Sequence, residues 1–147
     1  HVTPTYFDYK QALAKSKELK KPLFIDFTGH TCANCRKMEA TVLAEPEILK
    51  VLQEEFVVLS LYVDDHNKYP EDQWYKNKKG SLLKEIGEIN LDRQINQFNQ
   101  NGQPFYFVLD WDENIYTQWG GFKDNNEAFM TFLNNGKKGV EDWAAGK

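Results

Sequence analysis

The sequence predicts an α/β fold, in which strands and helices alternate along a chain of 147 residues. Two apolar runs, residues 23–27 and 56–63, have the length and composition of buried strands. The segments between and after them carry apolar residues at helical spacing, and two of these segments open with a capping-box pattern. The predicted order of elements is therefore α-β-α-β-α-β-β-α.

The first helix is predicted to begin after Asp8, with residues 1–7 forming a loose lead-in. Asp8 and Gln11, three residues further on, form the first capping-box pattern. The expected inward stripe of this helix comprises Tyr9, Ala12, Leu13, Ser16 and Leu19. Pro22 disfavours a helical conformation of the residue before it, so the helix should end near Lys20 and release the chain into the first strand.

After the first strand comes a turn, and then a Cys-x-x-Cys motif at the start of a helix. Gly29 can adopt the backbone angles that a sharp turn requires, and Thr31 is a candidate N-cap. The helix is predicted to run over residues 32–44, with one face formed by Cys35, Met38 and Val42.

This position of the motif has a chemical consequence. Free amides and the helix dipole favour an anion at a helix N-terminus, so the pKa of the Cys32 thiol is expected to be lowered. Cys35 lies about one turn deeper and can close a small disulfide ring. The motif therefore predicts dithiol–disulfide exchange, with Cys32 as the nucleophile and Cys35 as the resolving thiol.

Two other interpretations of the cysteine pair remain open: an inert structural disulfide and half of a zinc site. Zinc normally takes four ligands from Cys or His, and this chain has only two Cys. His1, His30 and His66 are not at ligand spacing, so no metal is expected. A cationic His30 would favour a Cys32 thiolate, although a solvent-exposed histidine in the turn is an equally good interpretation.

Asp26 is a single carboxylate within the first apolar strand. A buried, charged and unpaired carboxylate would cost several kcal/mol, so Asp26 is expected to be protonated or linked to water, with a raised pKa. The alternative is an acid at the end of the strand that faces solvent.

The middle of the chain contains a segment, residues 64–87, that is rich in charged and turn-forming residues. We name it the 64–87 insertion, and a hairpin turning at Lys79 and Gly80 is predicted within it. Long insertions often carry binding function, but a solvated loop with Trp74 packed on the core is an equal alternative. Just before it, Pro46 suits the first turn of a further short helix.

The last third of the chain predicts a helix over residues 89–98, a strand hairpin over residues 104–119 and a final helix. The inward residues of the first of these helices are expected to be Leu91, Ile95 and Phe98. Asp124 and Glu127 form the second capping-box pattern, and Gly136 can end the final helix. Residues 135–147 are then expected to form a frayed tail.

Residues 25–27, followed by Cys32-Ala33-Asn34-Cys35-Arg36-Lys37, resemble the active-site strand and helix of the thioredoxin superfamily. Residues 21–27, 35–39 and 61–65 together are similar to the C-terminal periplasmic domain of DsbD-type thiol:disulfide interchange proteins, especially the Bacteroidetes kind. Two departures are Ala33-Asn34 in place of Gly-Pro, and Thr31 in place of an aromatic residue before the first Cys.

The resemblance implies a thioredoxin-like fold, with a central mixed sheet of about four strands in the order second, first, third, fourth and with helices on both faces. The whole chain, 1–147, would be one domain with its core at 6–134. The resemblance gives Asp26 the role of proton relay to the second Cys, and it implies a cis peptide bond before Pro104. The residues implied to bind substrate are Thr31, Gln103, Pro104, Gly121 and Phe122.

The function implied is an extracytoplasmic thiol:disulfide oxidoreductase that acts as a reductase through the redox-active disulfide Cys32–Cys35 and needs no cofactor. Electrons would come from a membrane-embedded donor domain and pass to disulfide-bearing proteins or to cytochrome c biogenesis. Alternatives are a free-standing secreted thioredoxin-like protein, or a protein-binding module with an inert disulfide. The net charge of −4 argues weakly against nucleic acid. Because the chain begins at His1 and has no apolar run of about 20 residues, it is interpreted as a mature or excised piece without its own membrane helix.

Overall fold

The computed structural model describes all residues, 1–147. Its strands are β1 (Thr5–Tyr6), β2 (Leu23–Thr28), β3 (Val57–Tyr62), β4 (Tyr75–Lys76), β5 (Leu82–Leu83), β6 (Phe105–Leu109) and β7 (Ile115–Gly120). Its helices are α1 (Tyr9–Leu19), α2 (Ala33–Ala40), α3 (Pro46–Glu55), α4 (Ile86–Phe98) and α5 (Asn126–Ala145), and Glu71–Gln73 form a turn of 3-10 helix. None of the helices combines the length and the apolar character needed to cross a membrane.

A mixed sheet of five strands, in the order β1-β3-β2-β6-β7, forms the centre of the molecule. The strands β1, β3 and β2 are parallel, whereas β6 is antiparallel to β2 and to β7. The predicted order of the four main strands is confirmed. The loose lead-in expected at residues 1–7 is wrong, because Thr5 and Tyr6 pair with Val58 and Leu59 and add a fifth strand.

Helices cover both faces of this sheet, and every residue of β2 is buried as a result. The face that carries Ile25 and Phe27 packs under α1 and α4, and the face that carries Phe24 packs under α2, α3 and α5. Because side chains alternate along a strand, Asp26 shares the face of Phe24 and lies beneath α2, α3 and α5.

The inward faces of α1 and α4 differ in part from the predicted stripes. Leu19 is 46% exposed and Ile95 is 41% exposed, so both face solvent. In α4, the side-chain amide of Gln94 is buried instead of Ile95. Its Nε2 donates to the carbonyl oxygen of Gly102 at 2.8 Å. A hydrophobic stripe could not reveal this, because a buried amide is stable only when a distant partner satisfies it.

The final helix continues through Gly136 to Ala145, so the predicted end at Gly136 and the frayed tail at 135–147 are wrong. The N-cap of this helix is Asn125 instead of Asp124, and Asn125 Oδ1 accepts from the N–H of Ala128 at 2.9 Å. A Cβ atom on Gly136 would lie 2.6 Å from Val108 Cβ, so glycine allows the helix to approach the sheet closely.

Within the 64–87 insertion, the predicted hairpin is present as the short pair β4 and β5, and Gly80 has a φ of +85°. Trp74 packs within the insertion, where its Nε1 donates to the carbonyl oxygen of Tyr69 at 2.8 Å. The hydroxyl of Tyr75 donates to Asp92 Oδ2 of α4 at 2.6 Å and anchors the hairpin to the body of the fold. A binding role for this segment stays a prediction.

Candidate active site

Cys32 and Cys35 form a disulfide at the N-terminus of α2, with their Cα atoms 5.2 Å apart. The N-cap residue is Cys32 itself, one residue later than the predicted Thr31, and its Sγ accepts from the backbone N–H of Cys35 at 3.2 Å. The helix ends at Ala40 instead of residue 44, and the hydroxyl of Thr41 donates to the carbonyl oxygen of Lys37 at 2.6 Å just beyond its end.

The two sulfur atoms differ in their access to solvent. Cys35 is only 1% exposed, because it lies on the inward face of α2. Cys32 is partly exposed at the helix start, where free N–H groups and the helix dipole favour a thiolate. After reduction, Cys32 is therefore the thiol that an external partner can reach.

A carboxylate that the sequence analysis did not single out holds the loop before Cys32. Asp64 follows β3, and its Oδ1 accepts from the N–H of His30 at 2.9 Å. Its Oδ2 accepts from the N–H and from the hydroxyl of Thr31, at 3.1 Å and 3.2 Å. Although burial raises it, these hydrogen bonds bring the pKa of Asp64 below its usual range. Thr31, the predicted substrate contact, is thus tied to Asp64 and remains exposed.

Two further residues support the same loop. The guanidinium of Arg36 donates to the carbonyl oxygen of Gly29 at 3.1 Å and pairs with Glu39 at 2.8 Å. The ring of His30 stacks on Tyr62 of β3, with centroids 4.0 Å apart. The turn that carries Cys32 is therefore held from both α2 and β3.

Asp26 lies beneath this helix with its carboxyl group almost fully enclosed. It is 8% exposed, and Oδ1 has no hydrogen-bond partner. Burial raises the pKa of Asp26 to about 8; the charge of Glu39 adds to the rise, and Arg36 opposes it. A cavity of about 330 Å³ adjoins the carboxyl group and is also lined by Glu39 and Tyr62. The sequence analysis missed Glu39, because only the fold brings α2 over Asp26.

The loops before β6 and after β7 meet beside α2. The Gln103–Pro104 peptide bond is cis, as expected, and the N–H of Gly121 donates to the carbonyl oxygen of Pro104 at 2.8 Å. Phe27 pairs with Phe105, so Pro104 lies next to the end of β2 from which the cysteine loop departs. The Lys37 ammonium of α2 lies 5.8 Å from the centroid of the Phe122 ring. Pro104 and Gly121 are thus in direct contact, and Phe122 lies beside the last turn of α2.

Gln103 presents a free stretch of backbone at this place. Its side chain is occupied, because Nε2 donates to Gln94 Oε1 at 2.9 Å. Its main-chain N–H and carbonyl oxygen take part in none of the hydrogen bonds of the fold.

In the molecule as a whole, no three His, Cys, Asp or Glu side chains come together as a metal-binding group.

A central mixed sheet flanked by helices, with a Cys-x-x-Cys disulfide at a helix start and a cis-proline loop beside it, defines the class of thioredoxin-fold proteins. Residues 4–110 match the family model described as thioredoxin-like, and the chain belongs to this family. The match takes in β1, the cysteine motif and the first strand of the β6–β7 hairpin.

Individual relatives agree with this assignment. A thioredoxin-related protein, DsbJ of Chlamydia pneumoniae, is 35% identical over 68 residues, which are 46% of this chain and 20% of that relative. The chain thus matches only about a fifth of that relative's length.

Solved structures share the fold at low sequence identity. A DsbH oxidoreductase superposes with a TM-score of 0.64 at 20% identity, over 90% of this chain and 83% of the other. The oxidised C-terminal domain of DsbD from Neisseria meningitidis gives a TM-score of 0.56 at 20% identity, over 89% of this chain and 98% of that domain. A thioredoxin from Thermus thermophilus gives 0.60 at 20% identity, over 97% and 92%.

Proposed function

We propose that the protein is a thiol:disulfide oxidoreductase that works outside the cytoplasm as a reductase of protein disulfides. The observation that carries this proposal is the contrast between the two sulfurs of one Cys-x-x-Cys motif. Cys32 is accessible at a helix N-terminus, whereas Cys35 is buried one turn deeper. An inert structural disulfide has no need of an accessible sulfur at a site that favours a thiolate.

The reaction follows from this arrangement. In the reduced protein, the Cys32 thiolate attacks a disulfide of the partner, forms a mixed disulfide and releases one partner sulfur as a thiolate. Cys35 then attacks Cys32 Sγ, which restores the Cys32–Cys35 disulfide and releases the second partner sulfur. The partner gains two electrons and, from solvent and from the two thiols, two protons.

Asp26 is suited to the proton transfer in the second step. Cys35 must lose its proton before it attacks. It is buried on the inward side of α2, and Asp26 is on the face of the sheet that α2 covers. A carboxyl whose pKa is raised to about 8 can accept a thiol proton near neutral pH, whereas an ordinary Asp is too weak a base. The adjoining cavity gives this carboxyl a polar neighbour in Glu39.

The free backbone of Gln103 supports an extended polypeptide as substrate. An incoming strand can donate to and accept from this residue, in the manner of β-augmentation. Gly121 is hydrogen-bonded to Pro104 and Phe122 follows it in the chain. We propose that these two residues, with Thr31 beside Cys32, contact the side chains next to the partner's disulfide. Such a site would recognise the main chain of the partner more than its side chains, which suits a reductase with several protein partners.

The setting of the reaction is proposed from the relatives. DsbD-type domains receive electrons from a membrane-embedded donor domain, and we propose the same source here, in the periplasm or an equivalent compartment. Cytochrome c biogenesis is one proposed destination of the electrons. The contrasting proposal, a binding module with an inert disulfide, depends on the 64–87 insertion and requires that Cys32 does not exchange.

A trapping experiment with two matched variants tests the oxidoreductase proposal. Cys35→Ala removes the resolving thiol but leaves Cys32 at the helix start, so stable mixed disulfides with partners should accumulate. Cys32→Ala leaves only a buried thiol and should trap far fewer partners. Both variants are expressed outside the cytoplasm and analysed by non-reducing electrophoresis, and the trapped proteins are identified after reduction. Equal trapping by both variants, or none by either, would favour the binding module.

A further inference from the structure

The loop that presents Cys32 depends on one carboxylate from a distant part of the chain. Residues 29–32 form a turn in which the N–H of Cys32 donates to the carbonyl oxygen of Gly29 at 3.3 Å. The two N–H groups between them, those of His30 and Thr31, both point at Asp64. The backbone donors of the turn are thus shared between Gly29 and Asp64.

Asp64 is itself held in place by the fold. The N–H of Val63 donates to the carbonyl oxygen of Thr28, and the N–H of Gly87 donates to that of Asp65, at 2.9 Å and 2.8 Å. A Cβ on Gly87 would lie 2.6 Å from the carbonyl oxygen of Val63, so α4 packs directly against this backbone. The two ends of the 64–87 insertion therefore meet at Asp64 and fix the position of its carboxylate.

The carboxylate is also close to the reactive cysteine. A Cβ atom built on Gly29 would lie 3.3 Å from Asp64 Oδ2 and 3.5 Å from Cys32 Cβ. The carboxylate and Cys32 Cβ are therefore no more than about 7 Å apart, the sum of those two distances, which is a separation at which like charges repel measurably in a partly buried site.

We propose that Asp64 is a positioning residue of the active site, which orders the loop of Cys32 by hydrogen bonds and disfavours the Cys32 thiolate by its charge. The second effect opposes the helix dipole. It destabilises the reduced, ionised protein relative to the disulfide and so makes the protein a stronger electron donor. This inference rests on the proposed function and supplies a physical reason for its reductase direction.

Other charged groups face the same site and must be separated from Asp64 in any test. Arg36, which donates to Gly29 of the loop, favours a thiolate, as does a protonated His30, while Lys37 lies in the last turn of α2. Asp26 acts from beneath α2, whereas Glu39 is on α2 itself and is paired with Arg36. Removal of the Asp64 charge alone leaves all of these in place.

The test compares Asp64→Asn with Asp65→Asn. The first substitution keeps an acceptor oxygen for the loop and removes the charge. The second removes the neighbouring charge, which accepts from the N–H and the side-chain amide of Asn67 and not from the loop. Each protein is reduced, and the rate of Cys32 alkylation by iodoacetamide is measured from pH 5 to 10. The equilibrium with reduced and oxidised glutathione is measured at pH 7 and pH 9.

For Asp64→Asn, the midpoint of the alkylation profile should fall by about one pH unit, the effect of one charge at about 7 Å in a partly screened site. In equilibrium with glutathione, the ratio of the Cys32, Cys35 dithiol to the disulfide should rise several-fold at pH 9, where Cys32 is largely ionised. The ratio should rise by less at pH 7. A tenfold change corresponds to about 30 mV in reduction potential. Asp65→Asn should match the wild type in both measurements.

An unchanged alkylation midpoint in Asp64→Asn would overturn the inference, and so would an equal shift in Asp65→Asn. Asp64→Ser, which also keeps an acceptor oxygen, replaces Asp64→Asn if that variant does not fold. The alkylation arm needs only a reduced thiol. A wild-type protein that fails to exchange with glutathione would therefore count against the proposed function, while the alkylation midpoints would still decide the role of Asp64.

Discussion

The backbone N–H of Cys35 donates a hydrogen bond to Sγ of Cys32, at 3.2 Å. A thiolate on Cys32 accepts such a bond more strongly than a neutral thiol does, so the contact favours ionisation. The same geometry buries Cys35 in the turn below, so under the proposed function the two residues would perform different steps of the exchange.

Alkylation of the reduced protein should modify Cys32 well before Cys35. The reason is access as much as acidity, because Cys35 is 1% exposed. The check is limited labelling with iodoacetamide at several pH values, followed by peptide mapping. Preferential labelling of Cys35 would contradict the assignment of Cys32 as the nucleophile. No labelling of either residue below pH 8 would contradict it as well, because Cys32 would then not be a reactive thiolate.

Asp26→Asn should stabilise the protein, and the gain should grow with pH. In the unfolded chain the pKa of Asp26 is about 3.9, and burial in the fold raises it to about 8. Between these values the folded state holds a proton that the unfolded state has lost, so the free energy of unfolding falls as pH rises from about 4 to about 8. At pH 7.5 the gain from Asn should be about 2 kcal/mol or more.

Urea unfolding of both proteins at pH 5 and pH 7.5 measures this gain, with the exposed Asp124→Asn as a control that should change neither value. Asp26→Asn should also slow disulfide exchange, because the amide cannot accept the proton of Cys35. If the free energy of unfolding of the two proteins differed by the same amount at both pH values, and if the rate of disulfide exchange were unchanged, Asp26 would have no role in the mechanism.

Phe122→Ala should weaken the reduction of a protein disulfide while leaving exchange with glutathione almost unchanged. The ring lies beside Lys37 of the last turn of α2 and is partly exposed, so it can contact a polypeptide but is not needed by a small thiol. We expect KM for an unfolded disulfide protein to rise several-fold. Leu19→Ala, which removes an exposed side chain before β2 starts, is the control. Equal losses with both substrates would place Phe122 in the chemistry or in the fold instead.

Gly136→Ala should destabilise the protein although alanine favours helix by about 1 kcal/mol. The added Cβ would lie 2.6 Å from Thr117 Oγ1 and from Val108 Cβ, so α5 must move away from the sheet. Overpacking of this kind costs about 1–3 kcal/mol. In Gly146→Ala, the nearest atom to the new Cβ is 3.6 Å away, and thermal unfolding should stay close to wild type. A stabilised Gly136→Ala protein would mean that α5 and the sheet are less closely packed.

Local patterns in the sequence were sufficient for the part of the site that lies on one strand and one helix. An apolar run marked β2, and the Cys-x-x-Cys motif marked the start of α2. The burial of Asp26 followed from its place in that run. The exact cap was missed by one residue, because Thr31 and Cys32 are both acceptable N-caps and Asp64, 33 residues from Thr31, engages the former.

Polar and small residues in the second half of the chain were harder to interpret. Gly136 is the residue type that often follows the end of a helix. It lies within α5 because the sheet leaves no room for a side chain there. Val140 is 1% exposed, and Trp143 packs on Trp111 with ring centroids 5.0 Å apart, so the supposed tail is part of the core. The two Trp residues are 32 positions apart, and Gly136 and Val108 are 28 positions apart, so no local period in the sequence indicates these contacts.

The sequence by itself determined the four main strands, the helix that carries the cysteines and the chemical difference between the two thiols, because each depends on neighbours within a few residues. Only the tertiary structure decided which charges surround them. It placed Asp64 against the loop of Cys32 and Glu39 above Asp26, and it left the backbone of Gln103 free beside α2. Electrostatic energy depends on distance in space, and that distance is set only when the sheet brings separate segments together.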